Sequence, residues 1–120
     1  MKKKILVIDD EQSIRLLLEN FLKKEYEVVT TNNGEEGLNW LETNIPSLII
    51  CDIQMPIMDG LEATQYIRNT LNLAIPIIAH TANTFVHDID IYLSTGMNDF
   101  ISKPYDEELF YQKMTQFLLP

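Results

Sequence analysis

Residues 48–52 read Leu48-Ile49-Ile50-Cys51-Asp52, four apolar side chains in succession closed by a carboxylate. A strand with one solvated face alternates apolar and polar residues. An unbroken apolar run predicts instead a strand covered on both faces, as in the middle of a parallel sheet. The flanking sequence follows the same plan. Lys3 to Ile8 is aliphatic from Ile5 onward and predicts a first buried strand. Glu27 to Thr30 is a short β-branched run, Pro76-Ile77-Ile78-Ala79 a fourth strand and Asp99-Phe100-Ile101 a short fifth.

Amphipathic stretches separate these runs. Ile14, Leu17, Leu18, Phe21 and Leu22 recur at helical spacing, with Lys23 and Lys24 in the last turn, where the helix dipole favours cations. Asn33 and Glu36 resemble an N-cap with its capping-box partner, opening a helix that turns Leu38 and Leu41 inward and stops at Pro46. Gly60 to Leu71 predicts a third helix. Phe85, Ile89, Tyr92 and Leu93 form the next stripe, and Gly96 stands where a left-handed C-cap belongs. Asp106, Glu107 and Glu108 charge the first turn of a last helix carrying Phe110, Met114, Phe117 and Leu118. About five strands alternating with about five helices predict an open parallel α/β sheet with helices on both faces.

Composition sets outer bounds. A chain of 120 residues fits one domain, 1–120, and its 46% hydrophobic and 22% charged content supports a real core. Charges and prolines interrupt every apolar stretch, so no membrane span is expected. Lys2, Lys3 and Lys4 before Ile5 imitate a secretion signal, but Asp9-Asp10-Glu11 ends the apolar run too early. The single cysteine, Cys51, has no internal partner for a disulfide, so a cytoplasmic location is the default. A net charge of -9 opposes nucleic acid phosphates and favours metal cations or basic surfaces.

In sheets of this class ligands bind beyond the carboxyl ends of the strands. The first strand ends in Asp9-Asp10, the third in Asp52 and the fourth in Thr81, and Lys103 follows the fifth closely. Taken singly, Asp10 reads as a helix cap, Thr81 as a satisfied polar group and Lys103 as a solvated surface lysine. Their joint arrival at separate strand ends points to a site. Converging carboxylates repel one another and need a cation, and all-oxygen ligands suit Mg2+, whereas the Cys and His set of a zinc site is missing. A phosphate could approach only with that metal and Lys103 supplying positive charge, and Thr81 adding a hydroxyl. Asp52, on the middle strand, is the natural nucleophile, forming an acyl phosphate.

The segments Val7-Ile8-Asp9-Asp10-Glu11, Asp52-Ile53-Gln54-Met55-Pro56-Ile57-Met58-Asp59-Gly60, Thr81-Ala82-Asn83 and Ile101-Ser102-Lys103-Pro104 occur in this order. Together they resemble the receiver domains of response regulators in two-component signalling, the chemotaxis regulators among them, over the whole chain. The resemblance implies a single flavodoxin-like three-layer sandwich with strand order 2-1-3-4-5. It implies Asp52 as phosphoacceptor and Mg2+ (with Mn2+ as a substitute) held by Asp10, by Asp52, by the backbone carbonyl of Gln54 and by Asp9 mostly through water. Thr81 and Lys103 would bind the phosphoryl group, and Phe100 would be the aromatic switch residue. Gln54 and Asn83 would modulate the lifetime of the phosphorylated state. The Lys103-Pro104 bond would be cis. The phosphodonor would be a sensor histidine kinase or a histidine phosphotransfer domain, and a downstream effector would dock on the fourth helix, fifth strand and fifth helix.

Particular residues give the resemblance its individual character. Phe100 lacks the hydroxyl of the commoner tyrosine. His80 replaces the usual aliphatic residue before Thr81 and is expected to be a partly buried structural histidine. Val86, Ile91, Tyr105 and Tyr111 are expected on the exposed effector face. Ser94 to Phe100 resembles receivers of hybrid sensor kinases, while Met1-Lys2-Lys3-Lys4 resembles a natural chain start. Two other functions fit the architecture. A flavodoxin-type electron carrier needs a Ser/Thr/Gly-rich phosphate loop where Asp9-Asp10-Glu11 stands. An Mg2+-dependent phosphohydrolase with Asp52 as nucleophile needs a second carboxylate where Gln54 stands, and a cap. A receiver used only for binding would not need the intact acidic set.

Overall fold

Every residue of strand β3 (Leu48–Asp52) and of β4 (Ile77–Thr81) is buried, as the apolar runs require. The computed structural model describes residues 2–118. The remaining strands are β1 (Lys4–Ile8), β2 (Glu27–Thr31) and β5 (Asp99–Ser102); the helices are α1 (Gln12–Leu22), α2 (Gly34–Leu41), α3 (Gly60–Asn69), α4 (Val86–Thr95) and α5 (Glu107–Leu118). All pairings are parallel, in the order β2-β1-β3-β4-β5. From β1 the sheet grows outward to β2 on one side and to β3 on the other. The crevice at that reversal is where such sheets hold ligands.

Strand alternation divides the core into two layers. Leu6, Ile8, Ile49, Cys51, Ile77 and Ala79 meet Leu38 and Leu41 of α2, Ile67 of α3 and Tyr92 of α4. Ile5, Val7, Leu48, Ile50 and Ile78 meet Leu18 and Leu22 of α1 and Phe110, Met114 and Leu118 of α5. The expected three-layer sandwich is therefore present.

Boundaries differ from expectation in informative ways. Helix α2 ends at Leu41, well before Pro46, where Asn44 Nδ2 donates to the Trp40 carbonyl at 2.9 Å. Its cap is half as expected: Asn33 accepts from Glu36 N–H at 2.8 Å, but Glu36 answers to Asn32 N–H. Leu17, 52% exposed, and Leu93, 46% exposed, leave the inward stripes assigned to them. Phe85 does not begin the α4 stripe. It is the N-cap residue, and its ring stands in solvent. Gly96 does close α4 with φ of 126°, a region that side chains resist. Of Met1-Lys2-Lys3-Lys4, Met1 lies outside the described residues.

Between β3 and α3 the chain makes a tight passage. A Cβ on Gly60 would lie 2.2 Å from the Asp52 carbonyl oxygen, so only glycine fits. Gly60 N–H donates to the Ile53 carbonyl at 2.8 Å, and a capping box between Asp59 and Glu62 fixes the start of α3. In the same loop Ile57 has φ of 72° and is 84% exposed, a left-handed β-branched residue with no packing to compensate it. Replacing Ile57 by asparagine, which tolerates this conformation, is expected to raise stability by about 1 kcal/mol. An unchanged or lower thermal midpoint would show that the loop relaxes instead.

Candidate functional site

Asp9 leaves the end of β1 and is held from two sides. Its Oδ1 accepts from Glu11 N–H at 2.9 Å, and its carbonyl accepts from Arg15 Nη1 at 2.8 Å. The residue is buried, whereas Asp10 and Glu11 are exposed. Asp10 does not cap α1, since the N-cap position falls to Glu11, and its carboxylate joins the cluster at the sheet edge instead. Asp52 closes β3 and is buried. Carboxylate oxygens of Asp9, Asp10, Glu11 and Asp52 all lie within 4.8 Å of one another.

Lys103 enters this cluster from the end of β5. Its backbone N–H donates to the Thr81 carbonyl at 2.9 Å, which fixes where the side chain starts. Its Nζ lies 3.1 Å from Asp9 Oδ2, 3.4 Å from Asp52 Oδ1 and 3.6 Å from Glu11 Oε1. Burial works against the ammonium, but the carboxylates of Asp52, Asp9 and Glu11 outweigh it and hold Lys103 above its ordinary range. Burial and the Asp9 charge push the Asp52 carboxyl up to about 7 despite Lys103. Burial likewise raises Asp9, with the Glu11 amide and Lys103 opposing it. One ammonium is too little compensation for this much negative charge. Asp9 Oδ2 is buried without an aligned hydrogen-bond donor, the Lys103 contact being an ion pair of imperfect geometry. A buried carboxylate oxygen met only by that ammonium, within an all-oxygen donor set, fits a hard divalent cation.

Thr81 closes β4 and is buried, with Oγ1 accepting from Asn83 N–H at 3.1 Å. Asn83 is half-buried and Gln54 exposed, both lining a cavity of about 580 Å3 between the β3–α3 loop and α4. Phe100 is half-buried, and Lys113 Nζ of α5 sits 3.9 Å above its ring while pairing with Asp99 at 3.3 Å. The Lys103-Pro104 bond is cis. Thus Asp9, Asp10, Asp52 and Lys103 form one cluster, Thr81, Gln54 and Asn83 stand at neighbouring loop ends, and Phe100 sits on β5.

Two expectations need correction. Tyr105 and Tyr111 are half-buried rather than exposed: both pack on Phe21 of α1, with ring centroids at 5.7 and 6.1 Å. An aromatic cluster joining α1 to α5 claims them. His80 is completely buried rather than partly so, edge-on to Tyr105 and Phe110, and neither ring nitrogen has a hydrogen-bond partner. Val86 and Ile91 are exposed as expected.

Sequence reasoning also missed participants. Glu11 joins the acidic cluster, a role signalled only by its place after Asp9-Asp10. Arg15, Tyr92 and Lys113 act through contacts that no local pattern announces.

Residues 5–115 match the family described as the response regulator receiver domain, and the chain belongs to that family. The CAI-1 autoinducer sensor kinase/phosphatase CqsS of Vibrio cholerae is 39% identical over 98% of this chain and 18% of its own length. The alkaline phosphatase synthesis transcriptional regulatory protein PhoP of Bacillus subtilis is 41% identical over 88% of this chain and 44% of its own. The chain thus spans less than half the length of these curated relatives. The receiver domain of sensor histidine kinase PA1611 from Pseudomonas aeruginosa, solved with magnesium coordinated in its active site cleft, aligns with a TM-score of 0.88 and 27% identity over 98% of each chain. Receiver domains are phosphoacceptor switches of two-component systems, and that is the class of function this chain carries. Among the described residues no helix is long and apolar enough to cross a membrane.

The excess negative charge has a measurable cost. In the presence of a chelator, Asp52→Asn is expected to be more stable than the wild type by about 1–2 kcal/mol and to melt higher, because it removes one repelling carboxylate and leaves Lys103 paired with Asp9. A lower midpoint would refute the repulsion. His80 titrates in a separate, predictable way. Burial, and then the Lys103 charge, lower its imidazole from 6.5 to about 4. The unfolded chain therefore binds the proton first, so this stability is complete above about pH 6.5 and fades toward pH 4. His80→Leu is expected to gain on wild type by on the order of 3 kcal/mol across that window. Parallel pH dependences of unfolding would contradict it.

Proposed function

We propose that this domain takes a phosphoryl group on Asp52, from a phosphohistidine of a sensor kinase or phosphotransfer domain, and passes the change to an effector through Thr81 and Phe100. The observation that carries this reading is Lys103 Nζ set among the carboxylates of Asp52, Asp9 and Glu11 at the edge of the sheet. A nucleophilic carboxylate needs a fixed cation beside it, because the incoming phosphoryl group is itself an anion.

Asp10, Asp52 and the Gln54 backbone carbonyl would hold Mg2+, with Asp9 acting mostly through water. When bound, Mg2+ would supply charge neutralisation for the transferring phosphoryl group. In the transfer an Asp52 oxygen forms the new bond to phosphorus as the phosphorus–nitrogen bond of the donor breaks, and the imidazole leaves as the neutral ring, keeping the proton already on its other nitrogen. Lys103 pairs with the phosphoryl oxygens and is released from part of its work on the carboxylates. The Thr81 hydroxyl donates to a second oxygen. Water reaches the acyl phosphate past Gln54 and Asn83, whose neutral side chains modulate how long it survives; inorganic phosphate leaves and the Asp52 carboxylate is restored.

Movement of Thr81 frees space behind it for Phe100. The ring gives up its contact with Lys113 and turns inward, changing the surface of α4, β5 and α5, where Val86 and Ile91 are exposed. Having no hydroxyl, Phe100 reports the change by its packing alone. Residues 1–120 would act as this one receiver unit, in the cytoplasm, where such kinases present their phosphohistidine.

Incubation with acetyl phosphate or phosphoramidate and Mg2+, read by intact mass, is expected to show one phosphoryl adduct. Asp52→Asn should abolish it and Lys103→Gln should reduce it by roughly a hundredfold or more, the range seen when one charge-stabilising group is removed. An adduct that survives Asp52→Asn would refute the assignment.

A further inference from the structure

The hydroxyl of Thr81 is not free in the resting structure. Its Oγ1 accepts from Asn83 N–H at 3.1 Å, and the Asn83 carbonyl in turn accepts from the Tyr92 hydroxyl at 2.8 Å. Tyr92 is one of the most fixed side chains of α4. It is only 4% exposed, packs in the layer that includes Ile77, Ala79 and Met97, and its own carbonyl accepts from Met97 N–H at 3.1 Å. The loop it reaches is the opposite: Ala82 and Phe85 are exposed, Asn83 and Thr84 half-buried. A rigid phenol thus ties down a loosely packed segment at one point. That point is two residues beyond the threonine on which the proposed switch turns. The phenol also lies beside Thr81 itself, whose hydroxyl offsets part of the effect of burial on it.

We propose that Tyr92 is a positioning residue that holds Thr81 in its resting place through Asn83, and so sets how readily a phosphoryl group on Asp52 recruits that hydroxyl. The inference rests on the function proposed above and adds to it an internal brake. Carrying Thr81 toward Asp52 pulls Asn83 with it, and the Asn83 carbonyl must then leave a hydroxyl that cannot follow. The plainer role of a buried tyrosine is to satisfy its own hydroxyl wherever an acceptor lies. That role predicts a loss of stability on deletion and no dependence on Thr81.

Tyr92→Phe keeps the ring and removes only the latch. Time courses of phosphoryl uptake from acetyl phosphate and Mg2+, followed by intact mass, would compare wild type, Tyr92→Phe, Thr81→Ala and the double variant, with thermal melts confirming that each is folded. Tyr92→Phe is expected to take up phosphoryl groups roughly three- to tenfold faster, the size of one neutral hydrogen bond. In the Thr81→Ala background the same change should have no effect, because nothing is left to release. In 15N spectra of the unphosphorylated proteins, the Asn83 amide of Tyr92→Phe should move from its wild-type position toward that of the phosphorylated wild type. Equal uptake by wild type and Tyr92→Phe, or the same acceleration with Thr81 absent, would overturn the latch while leaving Asp52 as phosphoacceptor. A wild type that takes up no phosphoryl group at Asp52 would overturn both.

Discussion

Several carboxylates and one ammonium share the carboxyl edge of the sheet, and this imbalance of charge governs much of the surrounding structure. Asp9, Asp10, Glu11 and Asp52 bring oxygens within 4.8 Å of one another, against the single Nζ of Lys103. Such a cluster is unfavourable in isolation. It persists because the elements that carry it are held elsewhere. Strand β3 is buried along its whole length, so Asp52 cannot retreat from the edge without breaking a ladder on each side. Asp9 is fixed by the Glu11 amide and by Arg15, and Gly60 lets the next segment pass directly over the Asp52 carbonyl. A core of aliphatic strands offsets an edge poised for a cation and a phosphoryl group.

The parts of this arrangement that could be read from the sequence share one property. Each is the last residue of a strand or lies just beyond one, and parallel strands align such ends on a common edge. Asp9, Asp10, Asp52, Thr81 and Lys103 were legible for that reason. What escaped reading depends on contacts between elements. Leu17 and Leu93 have the right spacing for a buried stripe, yet the sheet covers only part of each helix, and spacing alone does not say which part. Phe85 lies at the edge of its pattern, where a one-residue change of helix start moves a ring from core to solvent. Tyr105 and Tyr111 were expected to face a partner. They complete the Phe21 cluster instead, because α1 and α5 share one face of the sheet. Arg68 is a further case: it donates to the carbonyls of Gly96 and Leu73 and to Asn98 Oδ1, which also accepts from Ile77 N–H. This clip joins α3, α4 and β4 through residues nearly thirty positions apart, a separation at which no periodicity operates.

In the proposed switch, the resting state is held by contacts that are individually weak. The Tyr92 to Asn83 and Asn83 to Thr81 hydrogen bonds are each worth about 1 kcal/mol. The Lys113 contact with the Phe100 ring adds about 0.5–1 kcal/mol at a partly exposed site. Against them, a phosphoryl group offers charge-assisted bonds to Thr81 and Lys103 of roughly 1.5–3 kcal/mol each. The phosphoryl side exceeds the resting side by no more than a few kcal/mol, the range in which a single modification can exchange two states. Much stronger resting contacts would leave the phosphoryl group unable to move the loop; none at all would leave the effector surface switched without a signal. The small size of each contact suits a switch in which β1 and β3, with their buried aliphatics, would carry the chemistry and α4 and β5 the change of shape.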